Sequence, residues 1–320
     1  MCEQNEIMVS VFCLAFNHEK YIRQTIDSIL NQQTSFSFEI LIHDDASTDR
    51  TAEIIREYEH RAPGIVRPIY QQNNQHSQGK NILHEFMMPL ARGKYFAFCE
   101  CDDYWIDPDK LQKQVDYLEQ HPDCTLCIHN ACTVDTGGNR TGVVHPVEHS
   151  GTVSCETVIR RGGGYCATNS IVAPLERMRD CPPYVREFAL DYIWQTYLAS
   201  CGSTYCFAEE MSAYRQGDAG SWTARMKAAP EKYEAFLRRL HRSMAAFDEY
   251  TGGRYTETVR AAEDERYCRY YLQAEDYQKL TVEPYRSIWK NDFSAKTKIK
   301  ILLGIHCPSM LRLAERLRGR

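Results

Sequence analysis

Between residues 7 and about 133, short apolar runs alternate with segments of helical periodicity. That alternation confines the chain to an α/β architecture: a mostly parallel sheet with helices on both faces. Strands are expected at residues 8–14, 38–43, 66–70, 95–98 and 124–134. The helix after the first strand carries Tyr21, Ile22, Ile26, Ile29 and Leu30 on one face. Others are expected from Thr51, after Gly79-Lys80-Asn81, and over 111–118, where His121-Pro122 stops the last. Residues 135–165, rich in Gly, Thr and His, read as an irregular excursion. A further helix is expected over 188–198.

The ends of these strands are acidic. The run Tyr95-Phe96-Ala97-Phe98-Cys99 passes into Glu100-Cys101-Asp102-Asp103, three carboxylates within four residues. Burying such charges unpaired is costly, so they either face water or hold a cation. Clustered oxygen ligands suit Mg²⁺ or Mn²⁺. In open α/β sheets, ligands bind at the carboxyl ends of the strands. The alternative is a solvated helix cap. The second strand repeats the pattern, ending in Asp44-Asp45 and then Ala46-Ser47-Thr48-Asp49. Ser47 and Asp49 are expected to cap the next helix, leaving Asp44 and Asp45 to accept hydrogen bonds from a ribose or base. The first strand ends in Ala15-Phe16-Asn17-His18, where an aromatic belongs to the core or stacks on a nucleobase.

A net charge of −5 over 320 residues argues against a nucleic-acid binder. The first six residues lack the basic and apolar regions of a signal peptide. The fourteen cysteines are scattered, so a reduced cytoplasmic location is expected. Cys124-x-x-Cys127 has no second pair at zinc-ribbon spacing and lies in an apolar strand, which favours packing. Gly162-Gly163-Gly164 lacks the strand and spacing of a phosphate-binding loop and reads as flexible.

Taken together, Val9-Ser10-Val11 through Phe16-Asn17, Asp44-Asp45-Ala46-Ser47-Thr48-Asp49 and Glu100-Cys101-Asp102-Asp103-Tyr104-Trp105 resemble the family 2 glycosyltransferases of GT-A fold, above all bacterial enzymes of exopolysaccharide, capsule or lipopolysaccharide synthesis. The likeness is clearest over 7–135 and looser to about 225. It implies a Rossmann-like nucleotide-sugar-binding half and a catalytic domain over 1–228, with a C-terminal helical region over 229–320. It also implies inverting transfer of a sugar from a nucleotide-diphosphate donor, UDP above all, to a glycan or lipid-linked acceptor. By the same resemblance Ala15, Phe16, Asn17, Asp44, Asp45, Lys80, Glu100 and Asp102 would hold the donor, and Asp102 and Asp103 the Mg²⁺ or Mn²⁺. Glu100 stands where the family more often has Asp. Asp191 would be the general base, with Glu187 as the alternative, and Tyr214-Arg215 and Ser221-Trp222 resemble the motif that closes the catalytic domain.

Beyond Pro230 the sequence turns to long charged helices. Residues 294–320 carry seven Lys or Arg against the single acid Glu315, a net charge of +6, interleaved with Ile and Leu. Such a helix either lies on the inner face of an anionic membrane or packs on the protein with its basic face solvated. Two other activities compete with transfer. A sugar-phosphate nucleotidyltransferase would need a Gly-rich basic loop where Ala15-Phe16-Asn17-His18-Glu19 stands. A nucleotide-sugar-binding scaffold without activity would have lost acids that are all present here.

Overall fold

The computed structural model describes residues 6–145, 147–188, 190–217 and 230–311. The chain forms two compact units, Met1–Ala224 and Arg225–Arg320.

The first unit is built on one ten-stranded sheet. Its parallel half is β1 (Ile7–Ala15), β2 (Ser37–Asp44), β3 (Val66–Tyr70) and β4 (Tyr95–Phe98), in the order β3-β2-β1-β4. Helix α1 (Ile22–Leu30) joins β1 to β2, and α2 (Thr51–Arg61) joins β2 to β3. The strands are apolar because both faces are covered: Val9, Val11, Cys13, Ile40 and Ile42 share one buried cluster with Ile22, Ile26, Ile29, Ile54 and Ile55. Past β4 come β5 (Tyr104–Trp105), α3 (Lys110–Gln120), β6 (Cys124–Val134), β7 (Arg140–Val144), β8 (Gly151–Val153) and α4 (Cys155–Arg161). These are followed by β9 (Val172–Pro174), α5 (Leu175–Arg179), α6 (Pro183–Phe188), α7 (Asp191–Cys201) and β10 (Ser203–Arg215). The short β9 runs antiparallel between β4 and β6, and β10 is parallel to β6 over its whole length.

Two expectations are corrected. Residues 135–165 are not irregular: β7 pairs with β6, β8 pairs with β10, and α4 follows, capped by Ser154. The helix expected over 188–198 is two helices, and Asp191 is the first residue of the second. The segment after Lys80 makes one helical turn, Leu83–Met87, in which the Met88 N–H reaches the Leu83 carbonyl five residues back. Such turns often mark functional sites. Cys124, Cys127 and Cys132 are buried along β6.

The second unit comprises α8 (Pro230–Tyr250), α9 (Thr256–Gln273), α10 (Tyr285–Asp292) and α11 (Ala295–His306). Cys268, Leu280, Trp289, Phe293 and Ile301 form a core there, and the Trp289 indole donates to the Leu280 carbonyl. Gly304 lies against the Tyr277 ring, where an added Cβ would come within 2.5 Å. The expected single amphipathic helix over 294–320 ends at His306, and residues 312–320 lie outside the described residues. One face of α11 packs inward through Ile301 and Ile305, while Ile299 and Leu302 are exposed. Among the described residues no helix is long and apolar enough to cross a membrane.

Candidate active site

The ends of β1, β2 and β4 meet because the strands are in parallel register: Ala15 is level with Asp44, and Phe12 with Phe98. Past these ends the chain turns sharply. Asn17 and Ala46 both adopt left-handed backbone, φ 58° and 61°. Asn17 tolerates that conformation; at Ala46 it marks a constrained turn. Each turn holds the other: the Asn17 N–H donates to Ser47 Oγ at 3.0 Å, and the Thr48 N–H donates to Asn17 Oδ1 at 2.8 Å. Ser47 therefore serves Asn17 and not the helix it was expected to cap. Asp49 does accept from the Thr51 N–H at the start of α2.

Phe16, at the β1 tip, is 46% exposed, unusual for an aromatic at a strand end and suited to stacking on a flat ligand. Ala15 is buried, and its carbonyl accepts from the Asp45 N–H. Asp45 differs from expectation. Its two carboxylate oxygens accept the backbone N–H groups of Gln75 (2.6 Å) and His76 (3.1 Å), so it pins the loop that follows β3. The unmatched oxygen lies next door: Asp44 Oδ1 is buried without a hydrogen-bond partner. A buried acceptor left so is costly unless a ligand or water donates to it. Lys80 is held 3.0 Å from Glu85.

After β4 the three acids converge. One carboxylate oxygen each from Glu100, Asp102 and Asp103 lie within 4.8 Å of one another. Asp103 is 1% exposed and anchored: Oδ1 accepts from the Arg215 N–H at 2.7 Å and Oδ2 from the Asn169 amide at 2.9 Å. Asn169 in turn accepts from Ser212 Oγ. Glu100 and Asp102 are the half-buried members of the group. Burial pushes the Glu100 carboxyl up to about 8, and the charges of Asp102 and Asp191 add to it. Three hard oxygen donors that repel one another fit a divalent cation.

Asp191 belongs to the same neighbourhood, since its charge is felt at Glu100 and at the Tyr214 phenol. Burial raises the Asp191 carboxyl above the usual carboxylate range, against hydrogen bonds from the Tyr192 N–H and Thr168. Helix α7 is keyed to the acid-bearing strand, because Trp194 packs on Phe96 and Phe98 with ring centroids 6.1 and 6.0 Å apart. Glu187, the alternative base, is exposed on α6.

Sequence reasoning missed several participants. His18 lies beside the acids; burial opposes its charge, yet the Cys101 thiol, Asp102 and Glu100 raise its pKa. Gly163 touches Asp191: a Cβ there would sit 3.3 Å from Asp191 Oδ1 and 3.1 Å from Tyr192 Cβ. The run Gly162-Gly163-Gly164 is thus a close approach of backbone to Asp191, a contact that a spacing test for phosphate loops cannot detect. Arg215, noted only as part of a motif, donates to the Asp102 carbonyl (2.8 Å), the Asp135 carbonyl (3.0 Å) and Gln24 (2.9 Å), over the Tyr21 ring. Ser221 and Trp222 lie outside the described residues.

The chain is similar to known proteins in sequence and in fold. The glycosyl transferase family 2 model matches residues 10–162. An uncharacterized protein of Mycobacterium tuberculosis is 36% identical over 216 residues, 67% of this chain and 60% of its own length. The chain therefore spans about three fifths of that relative's length. The Escherichia coli UDP-Glc:alpha-D-GlcNAc-diphosphoundecaprenol beta-1,3-glucosyltransferase WfaP is 34% identical over 112 residues, 35% of this chain and 41% of WfaP. The S. aureus TarS fragment 1–349, solved in complex with UDP-GlcNAc, superposes with a TM-score of 0.58 at 15% identity. That superposition covers 91% of this chain and 78% of the fragment, and it carries the same α/β fold. With the paired acidic strand ends in place, residues 10–162 belong to glycosyl transferase family 2.

Proposed function

We propose that the protein transfers a sugar, with inversion, from a nucleotide-diphosphate donor, UDP-linked, to a glycan or lipid-linked acceptor in surface polysaccharide synthesis. The observation that carries this reading is the meeting of the Glu100/Asp102/Asp103 cluster with Asp191 in one electrostatic neighbourhood. WfaP, whose name specifies a UDP-sugar donor and a diphosphate-lipid acceptor, supports it. Phe16 stacks on the base, and Asp44 Oδ1 accepts from the nucleoside. Asp45 acts on the donor indirectly, by holding the loop at Gln75 and His76. Asp102 and Glu100 hold a divalent cation, Mg²⁺ or Mn²⁺, and the remaining lone pairs of Asp103 complete the donor set. Such an ion supplies positive charge to the departing diphosphate. Asp191 takes the proton of the acceptor hydroxyl as it attacks the face opposite the leaving group.

Calorimetry with UDP tests the donor site. Binding is expected with Mn²⁺ or Mg²⁺ and is expected to be lost in EDTA and in Asp102→Asn, a change that leaves the Asp103 anchor intact. Equal affinity with and without metal would refute the metal site. Donor hydrolysis across a panel of nucleotide sugars then identifies the sugar.

The basic C-terminal segment places the enzyme at an anionic membrane. Ile299 and Leu302, 59% and 44% exposed on the outer face of α11, offer apolar side chains beside Lys296, Lys298 and Lys300. Each basic residue near such a surface contributes on the order of 1 kcal/mol. Vesicles containing anionic lipid are expected to pellet the full chain, and Ile299→Ser/Leu302→Ser to pellet much less. Identical pelleting of the two, or none by either, rules the contact out.

A further inference from the structure

A hollow of about 540 Å³ lies on the first unit, lined on one side by Asn81, Glu85 and Met88 and on the other by Arg179, Arg186 and Glu187. Its size is that of a ligand pocket. Met88 is buried and gives it an apolar floor. His84 also lines it and stays neutral near pH 7, since burial, helped by the Arg186 charge, lowers its pKa to about 4.

The two arginines give the hollow its character. Arg186 Nη2 donates to the Arg179 carbonyl at 2.7 Å, and Arg179 Nη2 donates to the Ala91 carbonyl. The Arg186 carbonyl accepts from the Asn81 amide at 2.6 Å, which ties the two walls together. These bonds fix both guanidinium groups yet use a small part of the five N–H donors each carries. Among the described residues, neither guanidinium lies within ion-pair distance of a carboxylate. Of the two acids that line the hollow, Glu85 is taken by Lys80 at 3.0 Å and Glu187 is exposed. Two anchored guanidinium forks lining one hollow, neither in an ion pair among the described residues, match the oxygens of a diphosphate.

Position separates this hollow from the donor's cradle. Phe16, Asp44 and Asp102 do not line it. Its wall α6 ends at Phe188, three residues before Asp191 opens α7. The geometry points to this hollow as the place where Arg179 and Arg186 hold the phosphate groups of a diphosphate-linked acceptor. Its sugar hydroxyl is thereby brought to Asp191. This inference rests on the transferase reading and assigns that reaction an anionic acceptor.

The test uses inorganic phosphate as probe, titrated against the full chain and followed by ³¹P linewidth, with and without saturating UDP and Mg²⁺. Phosphate is expected to bind equally with the donor site filled or empty. Arg179→Ala/Arg186→Ala should weaken it at least tenfold while UDP affinity stays within twofold of wild type. Displacement of phosphate by UDP would assign the hollow to the donor and overturn the inference. So would undiminished phosphate binding by the double variant, or no binding by the wild type. If the alanine pair does not fold, Arg179→Lys/Arg186→Lys keeps the charges and removes the forks. Weakened phosphate binding by that pair with normal UDP binding supports the inference, and equal phosphate affinity overturns it. Failure of the wild type to bind UDP would sink the transferase reading instead, a separate result.

Discussion

Asp191→Asn is expected to keep the fold, metal binding and UDP affinity while sugar transfer falls by ~10²-fold or more, the scale of general-base help. The isosteric amide still accepts from the Tyr192 N–H, which meets Asp191 Oδ1 at 2.7 Å, so the start of α7 is preserved. It cannot take a proton. The carboxylate suits that task because burial lifts its pKa towards the working pH. The packing of Trp194 against Phe96 and Phe98 fixes its distance from the acidic strand end. Single-turnover kinetics with a saturating donor separates the chemical step from binding. Should Asp191→Asn turn over normally while Glu187→Gln is dead, the base is Glu187.

Glu39→Gln is expected to cost about 3–5 kcal/mol of stability, the range for breaking a buried ion pair from one side. Glu39 is fully buried on β2. One oxygen accepts from Ser10 Oγ (2.7 Å) and the Arg92 N–H (2.8 Å). The other accepts from Arg67 and from Arg92 Nε (2.8 Å). The lower end of the range is expected, because about half of the Arg92 side chain can rehydrate. Next to it, Gly93 passes so close to β1 that a Cβ would lie 2.5 Å from the Ser10 nitrogen. Burial alone would raise the Glu39 carboxyl; hydrogen bonds from Ser10, Arg92 and Arg67 outweigh it and hold the group below its ordinary range. The folded protein thus binds this proton more weakly than the unfolded chain. Its contribution is complete above the unfolded value of about 4.3 and is lost as pH falls through the lower folded value. Urea midpoints of wild type and Glu39→Gln should therefore converge below pH 4 at an unchanged slope. A constant gap down to pH 3 would refute the assignment.

The parallel half of the sheet was legible because its strands are apolar on both faces and end abruptly in polar residues, as at Phe98-Cys99-Glu100 and Ile42-His43-Asp44. The short strands were not. β5, β8 and β9 have two or three residues each, too few for a period of two to register, and partners distant in sequence hold them. The acids of the site were legible as types and positions, but not in how they divide the work. Composition cannot distinguish Asp44, with a buried unpaired oxygen, from Asp45, whose oxygens hold a loop thirty residues away. Gly163 and Arg215 act through contacts with no local signature. A glycine against a carboxylate and an arginine spanning three segments exist only once the chain has closed.

Arg215 sets an order on how that closure happens. Its bonds reach 191 residues back to Gln24, 113 to Asp102, 112 to Asp103 and 80 to Asp135. The parallel strands close over far shorter stretches of sequence, and loop-closure entropy favours near pairings first. For a chain made from its amino end, β1 to β4 are available to pair while the acidic turn still lacks the backbone amide and guanidinium that hold it. Only after residue 215 has left the ribosome can Asp103 be anchored and Asp102 fixed beside it. The clustered carboxylates are therefore among the last parts of the sheet unit to reach their final places, and the strand that completes the scaffold also completes the cluster.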